Sequence, residues 1–216
     1  MPKLLIAAAI LAASTSLAIP RTLLEIAGVE PPPLVPERAA LVIIDAQQEY
    51  RSGALPLTAF EPAVAHIVKL REWARAHSVP VIHVQHVAKT GSAAFAAGSP
   101  GADFVPELAP APGETVIVKR LPNSFAGTDL DAVLRREGRT SLILTGFMTH
   151  MCVEATARAA LDHAYTSFVV TDATATRDLT MPGGETLGAD EVKRNALAAV
   201  ADRFGWIIAS ERLIGR

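Results

Sequence analysis

The chain is predicted to be α/β: a three-layer α/β/α sandwich around a doubly wound, mainly parallel, Rossmann-like sheet. Apolar β-branched runs alternate with stretches of helical periodicity from Ala39 to the last strand. These runs lack polar alternation, as strands covered on both faces do. At 216 residues, 50% of them apolar, the chain can fill one domain and is short for two.

Taken in order, "AALVIIDAQ" (residues 39–47) is an uninterrupted apolar run ending in an acid, which predicts a central strand. "EPAVAHIVKLREWARAH" (61–77) has apolar residues at helical spacing, and "VPVIHVQH" (79–86) is a second strand. A Gly/Ala/Pro-rich stretch from Lys89 to Glu114 is long for a connector and predicts a functional cover. "ETVIVKR" (114–120) is a strand, and "TDLDAVLRREG" (128–138) a helix with Thr128 as N-cap and Gly138 as its stop. The pattern then repeats: strand 140–146, helix 150–164, strand 167–173, helix 188–204 and strand 205–210. Strand–helix alternation with right-handed crossovers gives the doubly wound sheet.

The first part of the chain stands apart. "MPKLLIAAAILAASTSLAIP" (1–20) reads either as a secretory signal cleaved after Ala18 or as an alanine-rich helix packed on the domain or a partner subunit. The first reading implies a periplasmic or secreted protein, the second a cytoplasmic one. The stretch is too short and too rich in Ser and Thr for a membrane span. Residues 21–38 form an N-terminal extension, a short helix and a proline-rich connector, before the domain at 39–216.

Composition excludes several function classes. The net charge is −2 with both signs interspersed, so no basic stripe is available for nucleic acid. The lone cysteine, Cys152, rules out an intrachain disulfide and a cysteine-rich metal cage. There is no GxSxG elbow, P-loop, GxGxxG or HExxH motif.

In doubly wound sheets ligands lie beyond the carboxyl ends of the strands. Those ends carry Asp45, His86, Lys119 and, just past its strand, Cys152, followed by the segment "TDATATRD". Singly, each has a bland explanation: a turn-capping aspartate, a solvated lysine, a small core thiol. Together on one edge they make coherent chemistry. A thiol at the start of a helix, near a lysine, is expected to have a lowered pKa. An aspartate in reach can take its proton and later protonate a leaving amine. His150 is a competing base, but two residues along a helix turn it away from the thiol.

The motifs "LVIIDAQQEY", "VIVKRLPNSFAGTDL" and "LILTGFMTHMCVEATARAALDHAYTSFVVTDATATRD" resemble those of the isochorismatase-like cysteine hydrolases, in the family's order from about Leu41 to the last strand. The resemblance implies that Asp45, Lys119 and Cys152 are a catalytic triad. It also implies a non-proline cis peptide between Phe147 and Met148, with the N–H groups of Met148 and Cys152 as the oxyanion hole. The Asp-x-His metal site of nicotinamidase-type members has no equivalent, and His83 and His86 do not share a strand face, so neither metal nor cofactor is expected. Isochorismatases of the siderophore pathways characteristically lack the cysteine and cleave a vinyl ether; retention of Cys152 points to a C–N bond of an amide, ureido or carbamoyl small molecule, attacked through a thioester. Gln47, Tyr50, His86, Asn123, Phe125, Phe147 and Thr149 are candidate pocket residues by position. The family is usually oligomeric, so a homo-oligomer, dimer or tetramer, is expected. The rival readings are a redox-responsive thiol protein, which lacks a resolving cysteine, a vinyl ether hydrolase, and a non-catalytic scaffold.

Overall fold

The computed structural model describes residues 19–215. The expected signal or helix at residues 1–18 lies outside the described residues. The extension begins with a one-turn helix α1 (Leu23–Ile26), closed by a reciprocal capping box between Thr22 and Glu25. A proline-rich strand-like run then leads into the domain.

Six strands form one fully parallel sheet: β1 (Ala39–Ile44), β2 (Val81–His86), β3 (Thr115–Lys119), β4 (Ser141–Phe147), β5 (Thr166–Ala175) and the last, β8 (Trp206–Ile208). Their spatial order is β3-β2-β1-β4-β5-β8. The order reverses between β1 and β4, the switch point where such sheets open a crevice. β6 (Leu179–Thr180) and β7 (Thr186–Leu187) make a separate two-stranded hairpin after β5.

All six residues of β1 are buried, and they alternate between two cores. Leu41 and Ile43 face a core shared with α3 (Phe60–Ala76) and α7 (Glu211–Ile214). Val42 and Ile44 face the core under α4 (Leu130–Arg136), α5 (Glu154–Asp162) and α6 (Ala189–Arg203). This is why the strand reads as continuously apolar. The three-layer expectation holds.

Boundaries moved where side-chain chemistry could not be read locally. The helix foreseen at 128–138 spans Leu130–Arg136, because the Thr128 hydroxyl donates back to Ser124 O while accepting from Leu130 N. The helix foreseen from His150 is preceded by a π-helical turn, Thr149–Val153, before α5 begins. Such turns widen the helix at one point and recur at functional sites.

Gly146 allows β4 to close on β1. It pairs with Ile44, has φ +106°, and a Cβ there would lie 2.0 Å from Ile44 O. Gly146→Ala is expected to destabilise the fold by at least ~2 kcal/mol, through left-handed backbone strain and collision with β1. Chemical denaturation of the purified variant measures this; an unchanged midpoint would contradict the assigned backbone.

Candidate active site

Three strand ends converge at the switch point. Asp45 follows β1 directly and turns there with φ +51°. Its N–H donates to Val84 O at 2.9 Å and its carbonyl accepts from Gln47 N at 2.8 Å, so the backbone is pinned on both sides. Lys119 is the last residue of β3 and Cys152 sits in the π-helical turn after β4. All three side chains are buried: Asp45 is 0%, Lys119 1% and Cys152 5% exposed.

Lys119 Nζ is the centre of the cluster. It lies 2.8 Å from Asp45 Oδ2, 3.3 Å from Cys152 Sγ and 3.2 Å from His86 Nδ1. An ammonium offers three donors and no acceptor, so these three neighbours match its capacity. His86 Nδ1 therefore accepts, which leaves the proton of the neutral ring on Nε2. Burial and the nearby Lys119 charge push the His86 pKa down to about 4, in keeping with a neutral ring. The Lys119–Asp45 contact is an ion pair by distance without the angle of a good hydrogen bond, and neither Asp45 oxygen accepts a well-aligned one. The carboxylate thus keeps acceptor capacity for a proton.

The thiol corrects one expectation. Rather than being lowered by the helix start and the lysine, the Cys152 pKa is pushed up to about 12. Burial is the largest cause and the Asp45 charge the next, while Lys119 opposes both only in part. Burial likewise raises Asp45, against the pull of Lys119. The resting site therefore holds a thiol, not a preformed thiolate, next to a carboxylate made more basic by desolvation. Such a pair is matched for proton transfer in concert with an attack by sulfur.

The candidate pocket residues divide. His86 touches Lys119, Thr149 shares the π-helical turn with Cys152, and Tyr50 and Phe147 pack on each other. Tyr50 is 2% exposed, and burial with the charge of Asp45 holds its hydroxyl well above the usual phenol range. Its ring lies 5.8 Å from that of Phe147, which packs on Phe60 at 4.6 Å. The Thr149 hydroxyl is buried without a partner among the described residues. The Phe147–Met148 peptide is cis.

Two candidates are corrected. Gln47 is a clamp instead of a ligand group: its amide donates to His86 O (2.9 Å) and Ala102 O (2.6 Å) and accepts from His86 N (2.8 Å). Phe125 stacks on His163 (4.7 Å) and Tyr165 (5.7 Å), near the C-terminal end of α5 and thus the opposite edge of the sheet. Asn123 caps a turn, its Oδ1 accepting from Phe125 N at 2.9 Å.

His150 donates or accepts at Thr176 Oγ1 and makes no hydrogen bond to Cys152. Among the described residues no group of three or more His, Cys, Asp or Glu could hold a metal ion. His83, the other strand histidine, is 2.8 Å from Glu114, on the face away from the cluster. No helix among the described residues is long and apolar enough to cross a membrane.

Three residues near the site were not singled out from the sequence. Glu49, one of the few acids with 4% exposure, lies in the one-turn helix α2 (Glu49–Ser52). Phe95 comes from the long cover segment, where composition marked a loop but no single residue. Arg177, in the segment after β5, has a buried Nε without a partner among the described residues, and both Tyr50 and His150 feel its charge.

An acid, an amine and a thiol at the switch point of a parallel sheet define a hydrolase of the cysteine-dependent kind in outline. Comparison with known proteins agrees: residues 39–212 match the family model of the isochorismatase domain, and the chain belongs to the isochorismatase family. A secreted isochorismatase effector from Verticillium dahliae is 37% identical over 184 residues, 85% of this chain and 94% of that protein. A ureidoacrylate amidohydrolase from Methylobacterium radiotolerans is 30% identical over 213 residues, 82% of this chain and 79% of that one. The crystal structure of an isochorismatase from Pseudomonas putida superimposes with a TM-score of 0.86 at 39% identity, covering 90% of this chain and all of that one. That of an N-carbamoylsarcosine amidase from Thermoplasma acidophilum gives 0.70 at 26% identity, covering 81% and 97%. The protein is a hydrolase of this family.

Because Cys152 is the only cysteine, thiolate absorbance near 240 nm reports it alone. Titration of the folded protein is expected to show no thiolate from pH 6 to about 9.5. In Asp45→Asn the thiolate should appear at lower pH, since the carboxylate charge that raises the thiol is gone while Lys119 remains. A wild-type thiolate at neutral pH would contradict the burial argument.

Proposed function

We propose that this hydrolase cleaves a C–N bond of a small ureido, carbamoyl or amide compound through a thioester on Cys152. The observation that carries the reading is the contact of one buried lysine with both an aspartate and the thiol, 2.8 and 3.3 Å away.

In this cycle Cys152 Sγ attacks the carbonyl carbon as its proton passes to Asp45. The backbone N–H groups of Met148 and Cys152 donate to the oxyanion and stabilise it where it forms. Asp45 then gives the proton to the departing nitrogen as the C–N bond breaks, releasing ammonia or an amine and leaving the thioester. Water, losing a proton to Asp45, attacks the thioester; Asp45 passes that proton to Sγ as the C–S bond breaks, which releases the acid and restores the thiol. Lys119 holds Asp45 in place and screens the charge developing on sulfur. His86, neutral and hydrogen-bonded to Lys119, keeps that amine in position.

A carbonyl compound carrying an anion fits better than a neutral amide, because the buried Arg177 Nε lacks a partner. Two of the similar proteins act on a ureidoacrylate and on N-carbamoylsarcosine. A second reading, cleavage of the vinyl ether of isochorismate, is favoured by the names of other relatives. It gives the thiol no covalent role.

Intact-mass analysis during turnover of ureido acids is expected to show an acyl adduct on the wild type. Cys152→Ser and Asp45→Asn should lower kcat by at least ~10²-fold. Wild-type rates of C–N hydrolysis in Cys152→Ser, or activity on isochorismate alone, would overturn the reading. Arg177→Ala should raise KM for anionic ureido acids by roughly tenfold, the loss of a charge-assisted hydrogen bond, and leave KM for neutral amides nearly unmoved.

A further inference from the structure

The segment between β2 and β3 is pinned over the site along both its earlier and its later part. Its later part is tied by Ala102 O, which accepts from Gln47 Nε2 (2.6 Å) and Gln85 Nε2 (2.8 Å), and by Val105 N donating to Ala46 O at 3.0 Å. In its earlier part, Ala97 N donates to Ala88 O at 3.2 Å, and Phe95 reaches across to α2. The Phe95 N–H donates to Glu49 Oε2 at 3.1 Å, and its carbonyl accepts from Ala88 N at 2.9 Å. Glu49 Oε1 takes a second N–H, from Ala54 at 2.5 Å.

Two features show that this arrangement is built for Glu49. Gly53 and Gly101 flank its carboxylate so closely that a Cβ would lie 2.6 Å and 2.1 Å from its oxygens. Phe95 itself has φ +51°, a conformation a bulky L-residue adopts only when its surroundings enforce it. The backbone turn aims the ring inward: Phe95 is 7% exposed, its centroid 5.1 Å from the His86 ring and 5.2 Å from the Tyr50 ring. His86 touches Lys119, and Tyr50 feels the charge of Asp45. A left-handed aromatic residue, a buried carboxylate and two glycines thus place one ring against the walls of the reaction centre.

We propose that Phe95 is a specificity-determining residue that limits the size of the group admitted beside Cys152, and that Glu49 is the positioning residue that holds it there. The inference deepens the function proposed above and rests on Cys152 as the reacting atom. Phe95, Tyr50 and His86 form a wall that a small acyl group clears and a bulky one does not. Within a packed aromatic wall, one carbon more or less is worth roughly 10–200-fold in selectivity. Glu49 acts at a distance: in Glu49→Gln one of its two acceptor oxygens becomes an NH2 facing an N–H, so either Ala54 or Phe95 loses its partner.

The test needs no substrate. Alkylation of Cys152 by iodoacetamide and by N-phenyl iodoacetamide is followed by intact mass, and the ratio of the two rates is divided by the same ratio for free cysteine. The wild type is expected to disfavour the phenyl reagent. Phe95→Ala should raise the normalised ratio by roughly tenfold, and Glu49→Gln should move it the same way by a smaller factor. Phe95→Leu, which keeps more of the packed volume, serves if Phe95→Ala does not fold. A ratio unchanged in the folded variants, or equal acceleration of both reagents, would overturn the proposal, the latter showing general loosening. Failure to detect an acyl adduct in turnover leaves this ratio readable, so the two proposals fail separately.

Discussion

The buried contact between Lys119 and Asp45 is the interaction on which the site depends. Both side chains are withdrawn from water, and neither charge is tolerable there without the other. The pair joins the ends of β1 and β3, while the third reach of Lys119, to Cys152, joins the turn after β4. Truncating Lys119 would strand Asp45 as an uncompensated buried carboxylate, which would protonate and so lose the basicity that the proposed cycle asks of it. The sheet order matters for the same reason. Only at the reversal between β1 and β4 does the acid after one strand meet the thiol after the other.

Dryness sets the chemistry. In water, or at an open helix end, a lysine and a helix dipole lower a thiol's pKa. Here the loss of solvent outweighs both, and the neighbouring carboxylate adds to the effect. The same desolvation that suppresses the thiolate makes Asp45 a stronger base. The site therefore stores no anion on sulfur. This favours selectivity for substrates that bring the carbonyl into place, and it slows, without abolishing, the reaction of the thiol with small electrophiles. It also weakens the case for a redox-sensing role, which calls for an accessible thiolate.

Much of this is legible in the sequence. Strand–helix alternation showed the sheet, and the ends of its strands showed Asp45, Lys119 and Cys152, because a parallel sheet sends every carboxyl end to one edge. What escaped was tertiary. The thiol's environment depends on burial, and sequence neighbours such as His150 say nothing about it. Gln47 follows Asp45 by two residues and looked like a ligand group, yet its amide completes the backbone of β2 and the cover segment. Phe125 is a pocket candidate by position, but its ring turns toward the far end of α5. Glu49 and Phe95 lie 46 residues apart and meet only because the cover segment folds back. Nothing local in "EYRSG" or "SAAFAAG" announces it.

The central claim is that Asp45 removes the thiol proton in the attack itself. Single-turnover formation of the acyl enzyme, followed against pH, tests it most directly. The account expects the rate to rise through one ionisation lying above the ordinary aspartate value of 3.8, as the raised Asp45 carboxyl loses its proton, and then to stay level through pH 9. A rate that instead climbs with unit slope from pH 7.5 to 9.5, as a thiol ionising by itself would give, would contradict it.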